Sequence, residues 1–333
     1  MTNRARFHAV MNFEKVDRLP MVEWAKWWDK TLIRWVGEGL KIEEKPDRCE
    51  SESVAGGFGL DLYMQNWIPP TTDGTPKPAH QGAGIVTSLA EYERILPTLY
   101  PEQPLDPVRM EACARLQATG EAVVWLTLGG YFWWPRVLLG IEPHLFAFYD
   151  EPELMHRMNA DMLAYHRRIL SQVQKYFVPD FITINEDMSY NNGPMISEGQ
   201  FNEFLLPYYQ QVTPILKKMG TRIFVDSDGD ISRALPWFQR GGIEGLLPLE
   251  RQAGVDLEAL RVQHPDFLFM GHFDKMTMPL GEEAMRGEFE RLLPVMRQGG
   301  FIPSVDHQTP PGVSLENYGI YLRLLREYAA RIE

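Results

Sequence analysis

Acidic and imidazole side chains recur where short apolar runs of the chain end. In chain order these side chains are Glu23, Glu186, Asp187, Asp226, Asp228, Glu250, His272, Asp274, Asp306 and His307. Carboxylates gathered at one site repel one another unless some are protonated or a cation lies among them. The pattern therefore predicts general acid–base chemistry or a divalent metal site with oxygen and nitrogen ligands.

The ligand types set the range of metals. Asp or Glu together with His is an acceptable zinc set with an open position, and the same types also suit iron, manganese or cobalt. Cys49 and Cys113 are far apart in the sequence and do not form a cysteine metal site. The competing interpretation is that some acids only cap the helices that follow them, a role that fits Asp226, Asp228 and Asp274.

Aromatic residues lie near the same chain positions. Trp24 follows the first apolar run, and Trp133 and Trp134 follow a pair of glycines that indicates a loop. Aromatic walls suit a flat apolar or aromatic substrate, so we predict that Glu23, Trp24, Trp133 and Trp134 contact the substrate. The tryptophans of residues 27–35 have a second interpretation, as the buried stripe of a helix.

The elements that must position these side chains are parallel strands joined by helices. Eight apolar runs predict strands at 19–24, 60–67, 122–128, 181–185, 222–225, 245–249, 267–270 and 301–304. Helical patterns between them begin near Asp150, Ser197, Gly281 and Ser314, and Pro207 should kink the second. We predict one α/β domain over residues 1–333, a (β/α)8 TIM barrel with an N-terminal helical extension, whose strand ends meet at one mouth.

Composition excludes several classes of function. The chain has 33 basic and 45 acidic residues, a net charge of −12, and no basic cluster, so we expect no nucleic-acid partner. No uncharged apolar segment of ~18 residues is present, so we expect no membrane span. The N-terminus lacks a secretory pattern and the cysteines suit a reducing compartment, which predicts a cytoplasmic protein.

Four groups of motifs resemble the uroporphyrinogen decarboxylase superfamily. They are residues 3–7 with 17–20, 184–188 with 192–195, 225–229 with 247–250, and 303–307 with 310–317. The resemblance covers nearly the whole chain and is stronger to the corrinoid-dependent methyltransferase branch, because the Arg-Gln-Ala-Gly-Arg segment of the true decarboxylases is missing. It also implies a homodimer, since members of this superfamily often pair.

Within this branch the motifs depart from the thiol-activating methyltransferases. Those enzymes hold zinc with a His-x-Cys-Gly and a later Cys, and by position Asp226 and Asp228 stand at the first two ligands and His307 at the third. The resemblance thus implies the substrate-side methyltransferase of an O-demethylase system. Such an enzyme moves a methyl group from a methoxylated aromatic compound to the cobalt of a separate corrinoid protein, and no cobalamin-binding Asp-x-His-x-x-Gly occurs in this chain.

Strand-end position and resemblance together assign roles to the acids and histidines. We predict zinc or another divalent metal, held by Asp226, Glu250 and His307 with His272 or Asp228 as alternates. Glu186, Asp187 and Asp228 are the candidate catalytic residues, as acid or phenol anchor. The alternatives are a decarboxylase acting on a porphyrinogen-like carboxylate, a methylcobamide-dependent methyltransferase with another donor or acceptor, and a non-catalytic binder.

Overall fold

The computed structural model describes residues 1–332, in which strands alternate with helices. The strands are β1 (Leu62–Trp67), β2 (Ala122–Gly129), β3 (Phe181–Asn185), β4 (Ser189–Tyr190), β5 (Gly193–Pro194), β6 (Arg222–Asp226), β7 (Gly245–Leu247), β8 (Leu268–Phe273) and β9 (Phe301–Val305). The helices are α1 (Asn3–Met11), α2 (Asp29–Gly37), α3 (Glu50–Gly57), α4 (Leu89–Ile95), α5 (Pro107–Ala118), α6 (Trp133–Leu139), α7 (Ile141–Asp150), α8 (Pro152–Val173), α9 (Glu198–Phe204), α10 (Leu206–Met219), α11 (Leu235–Arg240), α12 (Leu257–Gln263), α13 (Glu282–Met296) and α14 (Leu315–Ala329).

Seven strands form one sheet in the order β1-β2-β3-β6-β7-β8-β9, and β4 and β5 form a separate antiparallel hairpin. Strand pairs β2–β3, β3–β6, β7–β8 and β8–β9 are parallel. Every residue of β2, β3, β8 and β9 is buried, as expected for parallel strands covered on both faces. The predicted α/β class, with strands paired in chain order, is confirmed.

Contacts between Cα atoms divide the chain into two compact units. The first contains Met1–Met64, Ala112–Val124 and the chain from Gly245 onward, and the second contains Gln65–Glu111 and Trp125–Glu244. The chain passes from the first unit to the second within β1, after Met64, and again within β2, after Val124. Each unit is therefore made of separate stretches of the sequence. The single domain over residues 1–333 stays a prediction.

The first predicted strand, residues 19–24, is not a β-strand in the structure. The segment forms separate hydrogen bonds instead: Asp61 N–H donates to the Met21 carbonyl oxygen (2.8 Å), and the Met21 N–H donates to the Asp61 carboxylate (3.0 Å). On the other side, Trp24 N–H donates to the Ser304 hydroxyl (3.4 Å). Side chains of Asp61 and Ser304 accept hydrogen bonds from two of the N–H groups that a backbone ladder would otherwise pair, so the prediction of a strand is wrong here.

Three element ends also differ from the prediction. β7 stops at Leu247, because Pro248 has no N–H to donate to a ladder. β8 continues through Phe273, which places His272 within the strand and not after it. Pro207 stands in the first turn of α10, so α9 and α10 are two helices and not one kinked helix.

The other predicted helix starts agree with the structure, apart from a shift of one residue at α8. Ser197 caps α9 in a capping box with Gln200, and Ser314 caps α14, as predicted. The cap of α8 is Glu151 and not Asp150. Trp27 and Trp35 are buried, but only Trp35 lies within α2 and Trp28 is 45% exposed, so residues 27–35 do not form one buried helical stripe. Within residues 1–332, no helix combines the length and apolar character that crossing a membrane requires.

Candidate active site

Three aspartates of the second unit come together beyond β3 and β6. Asp226 is the last residue of β6, Asp228 lies in the loop that follows it, and Asp187 lies just beyond β3. One carboxylate oxygen from each lies within 4.8 Å of the others. In residues 1–332, this acidic cluster of Asp187, Asp226 and Asp228 is the group of His, Cys, Asp or Glu side chains placed to hold a metal ion.

The electrostatics of the acidic cluster centre on Asp226. Its side chain is buried, while Asp187 and Asp228 are partly exposed. Burial, followed by the negative charges of Asp187 and Asp228, raises the pKa of Asp226 well above the ordinary value. Asp226 is therefore suited to hold a proton where an exposed aspartate would be ionised, or to share a cation with its two neighbours.

The backbone beyond β3 brings Asp187 to this position. The N–H groups of Glu186 and Asp187 both donate to the carbonyl oxygen of Asp226, at 2.8 and 3.4 Å. Asp187 has a φ of +41°, a left-handed conformation that is uncommon outside glycine. Its carbonyl oxygen accepts a hydrogen bond from Arg136 Nη1 (2.9 Å), so one residue joins α6 to the acidic cluster.

The β4–β5 hairpin fixes the loop that carries Asp228. Met188 N–H donates to the Ser227 hydroxyl (3.1 Å), and Asp230 N–H donates to the Tyr190 carbonyl (3.0 Å). Gly229 has a φ of +77°, and a Cβ there would lie 2.7 Å from the Ser189 carbonyl carbon, so only glycine fits. The residue of this loop that caps the next turn is Asp230, which accepts from Ser232 N–H (3.0 Å). A capping role for Asp226 or Asp228 stays an alternative prediction.

Glu186, a predicted catalytic residue, holds the start of α6. Its carboxylate accepts from the N–H groups of Tyr131 (2.9 Å), Phe132 (2.7 Å) and Trp133 (3.2 Å), and also from the Tyr209 hydroxyl. Burial raises the pKa of Glu186 to about 7, against the lowering effect of these bonds. The structure thus gives Glu186 a positioning role at the helix N-terminus, and its catalytic role stays a prediction.

The predicted loop residues Trp133 and Trp134 instead begin helix α6. The helix starts early because Glu186 supplies the acceptors that its first N–H groups need. Trp133 is partly exposed, with the guanidinium of Arg136 4.9 Å from its ring centroid. Trp134 is buried and donates from Nε1 to the Tyr100 hydroxyl (2.7 Å), and its role as a substrate contact stays a prediction.

In the first unit a lysine lies between two of the strand-end acids. Lys275 Nζ is 3.2 Å from Asp306 Oδ1 and 3.7 Å from Glu250 Oε1. Asp306 is fully buried and also accepts from the backbone N–H groups of Arg251 (3.1 Å) and Lys275 (3.3 Å). The cation expected among these acids is the lysine ammonium, so the sequence argument for a metal beside Glu250 loses force.

His272, a predicted metal ligand, has protein partners at both ring nitrogens. The ring is fully buried, with Nδ1 2.7 Å from the Leu249 carbonyl oxygen and Nε2 3.2 Å from Arg291 Nη1. Because an arginine can only donate, Nε2 is the acceptor and Nδ1 carries the proton. Burial lowers the pKa of His272 to about 4. Both nitrogens are engaged in hydrogen bonds here, and the role of His272 as a metal ligand stays a prediction.

Glu23, Trp24 and His307 do lie together, in the first unit. Glu23 accepts from the Ser304 hydroxyl (2.9 Å) and the Tyr318 hydroxyl (3.2 Å), and burial raises the pKa of Glu23 to about 7. Trp24 Nε1 donates to the Val305 carbonyl (2.8 Å), and its ring meets the His307 ring edge-to-face at 6.2 Å. Their roles as substrate contacts and metal ligand stay predictions.

Sequence reasoning missed two cations, Arg136 and Lys275. Arg136 stands three residues after Trp133, the spacing of neighbours on a helix face, but the segment was predicted as a loop. Asp274 was correctly predicted to cap the turn at Lys275–Leu280, and it accepts from Met276 N–H (2.9 Å). Its neighbour Lys275 carries no sequence signal that would pair it with Asp306.

Solved structures of other proteins share this fold. A methyltransferase from Methanosarcina mazei superposes with a TM-score of 0.67 at 15% identity, covering 98% of this chain and 99% of that chain. Two other structures have lower TM-scores. A B12-independent methionine synthase from a Shewanella species has a TM-score of 0.45 at 14% identity, covering 68% of this chain and 67% of that chain. A putative B12-independent methionine synthase from Listeria monocytogenes has a TM-score of 0.48 at 13% identity, covering 96% of this chain and 98% of that chain. At these identities the likeness concerns the fold.

Curated protein sequences contain no match to this chain. The model of the family described as Uroporphyrinogen decarboxylase (URO-D) matches residues 84–328, which is well over half of the chain. The match includes β2 to β9 and therefore the whole acidic cluster. The chain belongs to the uroporphyrinogen decarboxylase family.

Proposed function

We propose that this chain is a corrinoid-dependent methyltransferase that moves a methyl group from a methoxylated aromatic compound to the cobalt of a separate corrinoid protein. The observation that carries the proposal is the acidic cluster of Asp187, Asp226 and Asp228. Two of its members stand where the resembling thiol-activating methyltransferases have zinc ligands. Family membership and the fold shared with a methyltransferase support the same reaction class.

The chemistry explains why acids suit this position. A phenolate is a poor leaving group near neutral pH, so the ether oxygen must be protonated or bound to a Lewis acid as its bond to the methyl carbon breaks. The corrinoid of the partner protein supplies the cobalt(I) nucleophile that takes the methyl group. Asp226 holds the proton, because burial and its two charged neighbours keep the pKa of Asp226 high. The electron pair of the broken C–O bond stays on the oxygen, which takes that proton.

The same three carboxylates also fit a hard divalent cation. Asp187, Asp226 and Asp228 would hold it, and oxygen-only ligands favour Mg²⁺ or Mn²⁺ over a zinc that prefers nitrogen and sulfur. Such an ion would act as the Lewis acid on the ether oxygen. Metal analysis and chelation separate the two forms of the proposal: full activity of the metal-free protein supports the proton on Asp226, and activity restored by Mg²⁺ or Mn²⁺ supports the cation.

The finer fold assignment also belongs to this proposal. We infer that residues 19–24 take the position of the first strand of a (β/α)8 barrel, which would complete the set of eight. The bonds between Met21 and Asp61 and between Trp24 and Ser304 support this, since they join the segment to residues beside β1 and within β9. A homodimer and a cytoplasmic location accompany the proposal as predictions from the resemblance and the cysteines.

The proposed function is tested by incubating the protein with a reduced corrinoid protein and a panel of methoxylated aromatic compounds. We expect the cobalt(I) absorbance to disappear with at least one compound, and the rate to fall about 100-fold or more in Asp226→Asn. Asp73→Asn, at an exposed turn, is the matched control and should keep the full rate. No methylation by any compound, with a competent corrinoid protein, overturns the proposal, and release of CO₂ from a porphyrinogen-like carboxylate would replace it.

A further inference from the structure

We infer that Arg136 and Trp133 form a subsite that binds the carboxylate of an aromatic acid. The inference rests on the proposed function and deepens it, because it makes the substrate a methoxylated aromatic acid and not a neutral ether. The subsite is built on one turn of α6, where residues three apart are neighbours on the helix surface. It lies within the second unit, as does the acidic cluster.

Two contacts fix the guanidinium of Arg136. Nη1 donates to the Asp187 carbonyl oxygen (2.9 Å), and the guanidinium carbon lies 4.9 Å from the centroid of the Trp133 ring. Both side chains are partly exposed, so the pair is accessible to a ligand. An arginine held by a hydrogen bond and by an aromatic face loses little further freedom when it binds an anion.

Arg136 keeps donors for that anion. A guanidinium carries five N–H donors. In the part of the chain that the structure describes, the side chain of Arg136 makes the one hydrogen bond to Asp187 and no ion pair. The planar fork of N–H groups matches the two oxygens of a carboxylate, and the Trp133 ring offers a flat surface beside it for the substrate ring.

Asp187 connects this subsite to the proposed chemistry. Its left-handed backbone (φ +41°) allows the carbonyl oxygen to reach Arg136 while the carboxylate joins Asp226 and Asp228. Strained conformations of this kind persist where the surroundings impose them, and they concentrate at functional sites. Three nearby carboxylates would repel an anionic substrate, and Arg136 supplies the opposite charge that orients the acid group away from them.

The test uses binding and does not require methyl transfer. Titration calorimetry compares 4-hydroxy-3-methoxybenzoate with 4-hydroxy-3-methoxybenzyl alcohol, which differ in the carboxylate. We expect the wild type to prefer the acid, and Arg136→Gln to weaken acid binding roughly 10- to 100-fold while alcohol binding changes less than about twofold. Arg136→Lys, which keeps the charge but loses the fork, should recover part of the loss.

Controls separate binding from folding. Arg94→Gln, an exposed arginine of the same unit, should bind both ligands as the wild type does. If Arg136→Gln melts early, Arg136→Lys carries the comparison. Equal wild-type affinity for acid and alcohol, equal losses for both in the variants, or binding of neither overturns the subsite.

The subsite and the proposed function fail in different ways. Cobalt methylation with neutral ethers alone would support the methyltransferase and overturn the subsite. Selective binding of the acid that depends on Arg136, without methylation by a competent corrinoid protein, would keep the subsite and overturn the methyltransferase.

Discussion

At the scale of a single residue, burial and nearby negative charge together raise the pKa of Asp226, so that its carboxyl group can hold a proton. An isolated surface aspartate is ionised at neutral pH, but Asp226 is desolvated and lies near Asp187 and Asp228. Each of these effects favours the protonated form. The result is a carboxylic acid that keeps its proton to a higher pH than a surface aspartate does, which is what the proposed reaction requires.

The pH dependence of stability tests this state of Asp226. A carboxyl whose pKa is raised by folding binds its proton more tightly in the folded state, so stability is lost as pH rises from the unfolded pKa towards the folded pKa. Asparagine does not ionise. We therefore expect Asp226→Asn to lose less unfolding free energy than the wild type between pH 4 and pH 8, measured by urea denaturation. Parallel profiles for the two proteins would contradict the raised pKa of Asp226.

A pair of substitutions distinguishes the two neighbouring tryptophans. Trp134→Phe should lower the melting temperature and leave substrate affinity almost unchanged, because Trp134 is buried and its Nε1–H bonds to Tyr100. Trp133→Phe should lower substrate affinity and leave the melting temperature almost unchanged, since Trp133 is partly exposed beside Arg136. Thermal unfolding and ligand titration of both variants measure the two effects. A large loss of affinity in Trp134→Phe with unchanged melting would contradict this assignment.

At the residue scale the sequence predicted acids gathered at strand ends but did not single out Asp187, Asp226 and Asp228 as one cluster. Asp187, Asp226 and Asp228 follow buried runs whose ends meet in a parallel sheet, so their proximity was predictable. The bonds from the Glu186 carboxylate to the start of α6 were not predictable, because the N–H groups that donate to it lie more than fifty residues away in sequence. The partner of His272 was not predictable for a similar reason, since Arg291 is distant in sequence and has no local signal.

Helix α6 is the element on which the proposed substrate site depends. Glu186 fixes its start, and the segment before α4 fixes its end: Ile85 N–H donates to the Leu138 carbonyl (2.7 Å) and Ile141 N–H to the Gly82 carbonyl (3.1 Å). Arg136 and Trp133 therefore lie on a helix that is held at both ends. Few rotamers are then compatible with the contacts that form the subsite.

Glu186→Gln tests the hold on the start of α6. Glutamine offers one acceptor oxygen where the carboxylate has two, so some of the buried N–H groups of Tyr131, Phe132 and Trp133 lose their partner. We expect the free energy of unfolding to fall by about 2 kcal/mol. The control is Glu93→Gln, an exposed glutamate, which should have little effect. A variant as stable as the wild type but without methyl transfer would favour a catalytic role for Glu186.

Two glycine substitutions form a matched test of the end of α6. Gly140 has φ +87° and ψ 162°, and a Cβ there would lie 2.6 Å from Gly84 N, so Gly140→Ala should cost about 2 kcal/mol or more. Gly287 lies inside α13 with no atom near the added Cβ, so Gly287→Ala should stabilise the protein by about 1 kcal/mol. Chemical denaturation measures both, and effects of the same sign would contradict the geometry.

At the element scale, the buried parallel strands were predictable because continuous apolar runs between helical patterns are typical of them. Residues 19–24 show the limit of that argument. Two backbone N–H groups of this segment, those of Met21 and Trp24, donate to the side chains of Asp61 and Ser304, which strand periodicity does not reveal. The start of α6 was missed because its N-terminal acceptor, Glu186, is supplied from beyond β3 and not from a local cap.

The whole molecule carries a strong negative charge, which limits its partners. With 45 acidic and 33 basic residues, long-range repulsion from a phosphate backbone is expected. We predict no mobility shift of a duplex DNA at low salt, even with micromolar protein. A shift that disappears with rising salt would show a basic surface that the composition hides.

The same charge bears on the proposed corrinoid protein. Encounter with a partner whose docking face is basic would be faster at low ionic strength than at high ionic strength. For a basic partner face, the rate of cobalt methylation at limiting enzyme falls as salt rises. A rate that rises with salt would indicate an acidic partner face.

The stacked pair of Trp133 and Arg136 gives the molecule an optical reporter of its own. A carboxylate on the guanidinium changes the electric field across the indole, so occupancy of the subsite should shift the fluorescence emission of Trp133. The other tryptophans form a background that the Trp133→Phe spectrum removes by subtraction. Ligands could then be screened by emission alone, without a corrinoid protein and before any turnover assay exists.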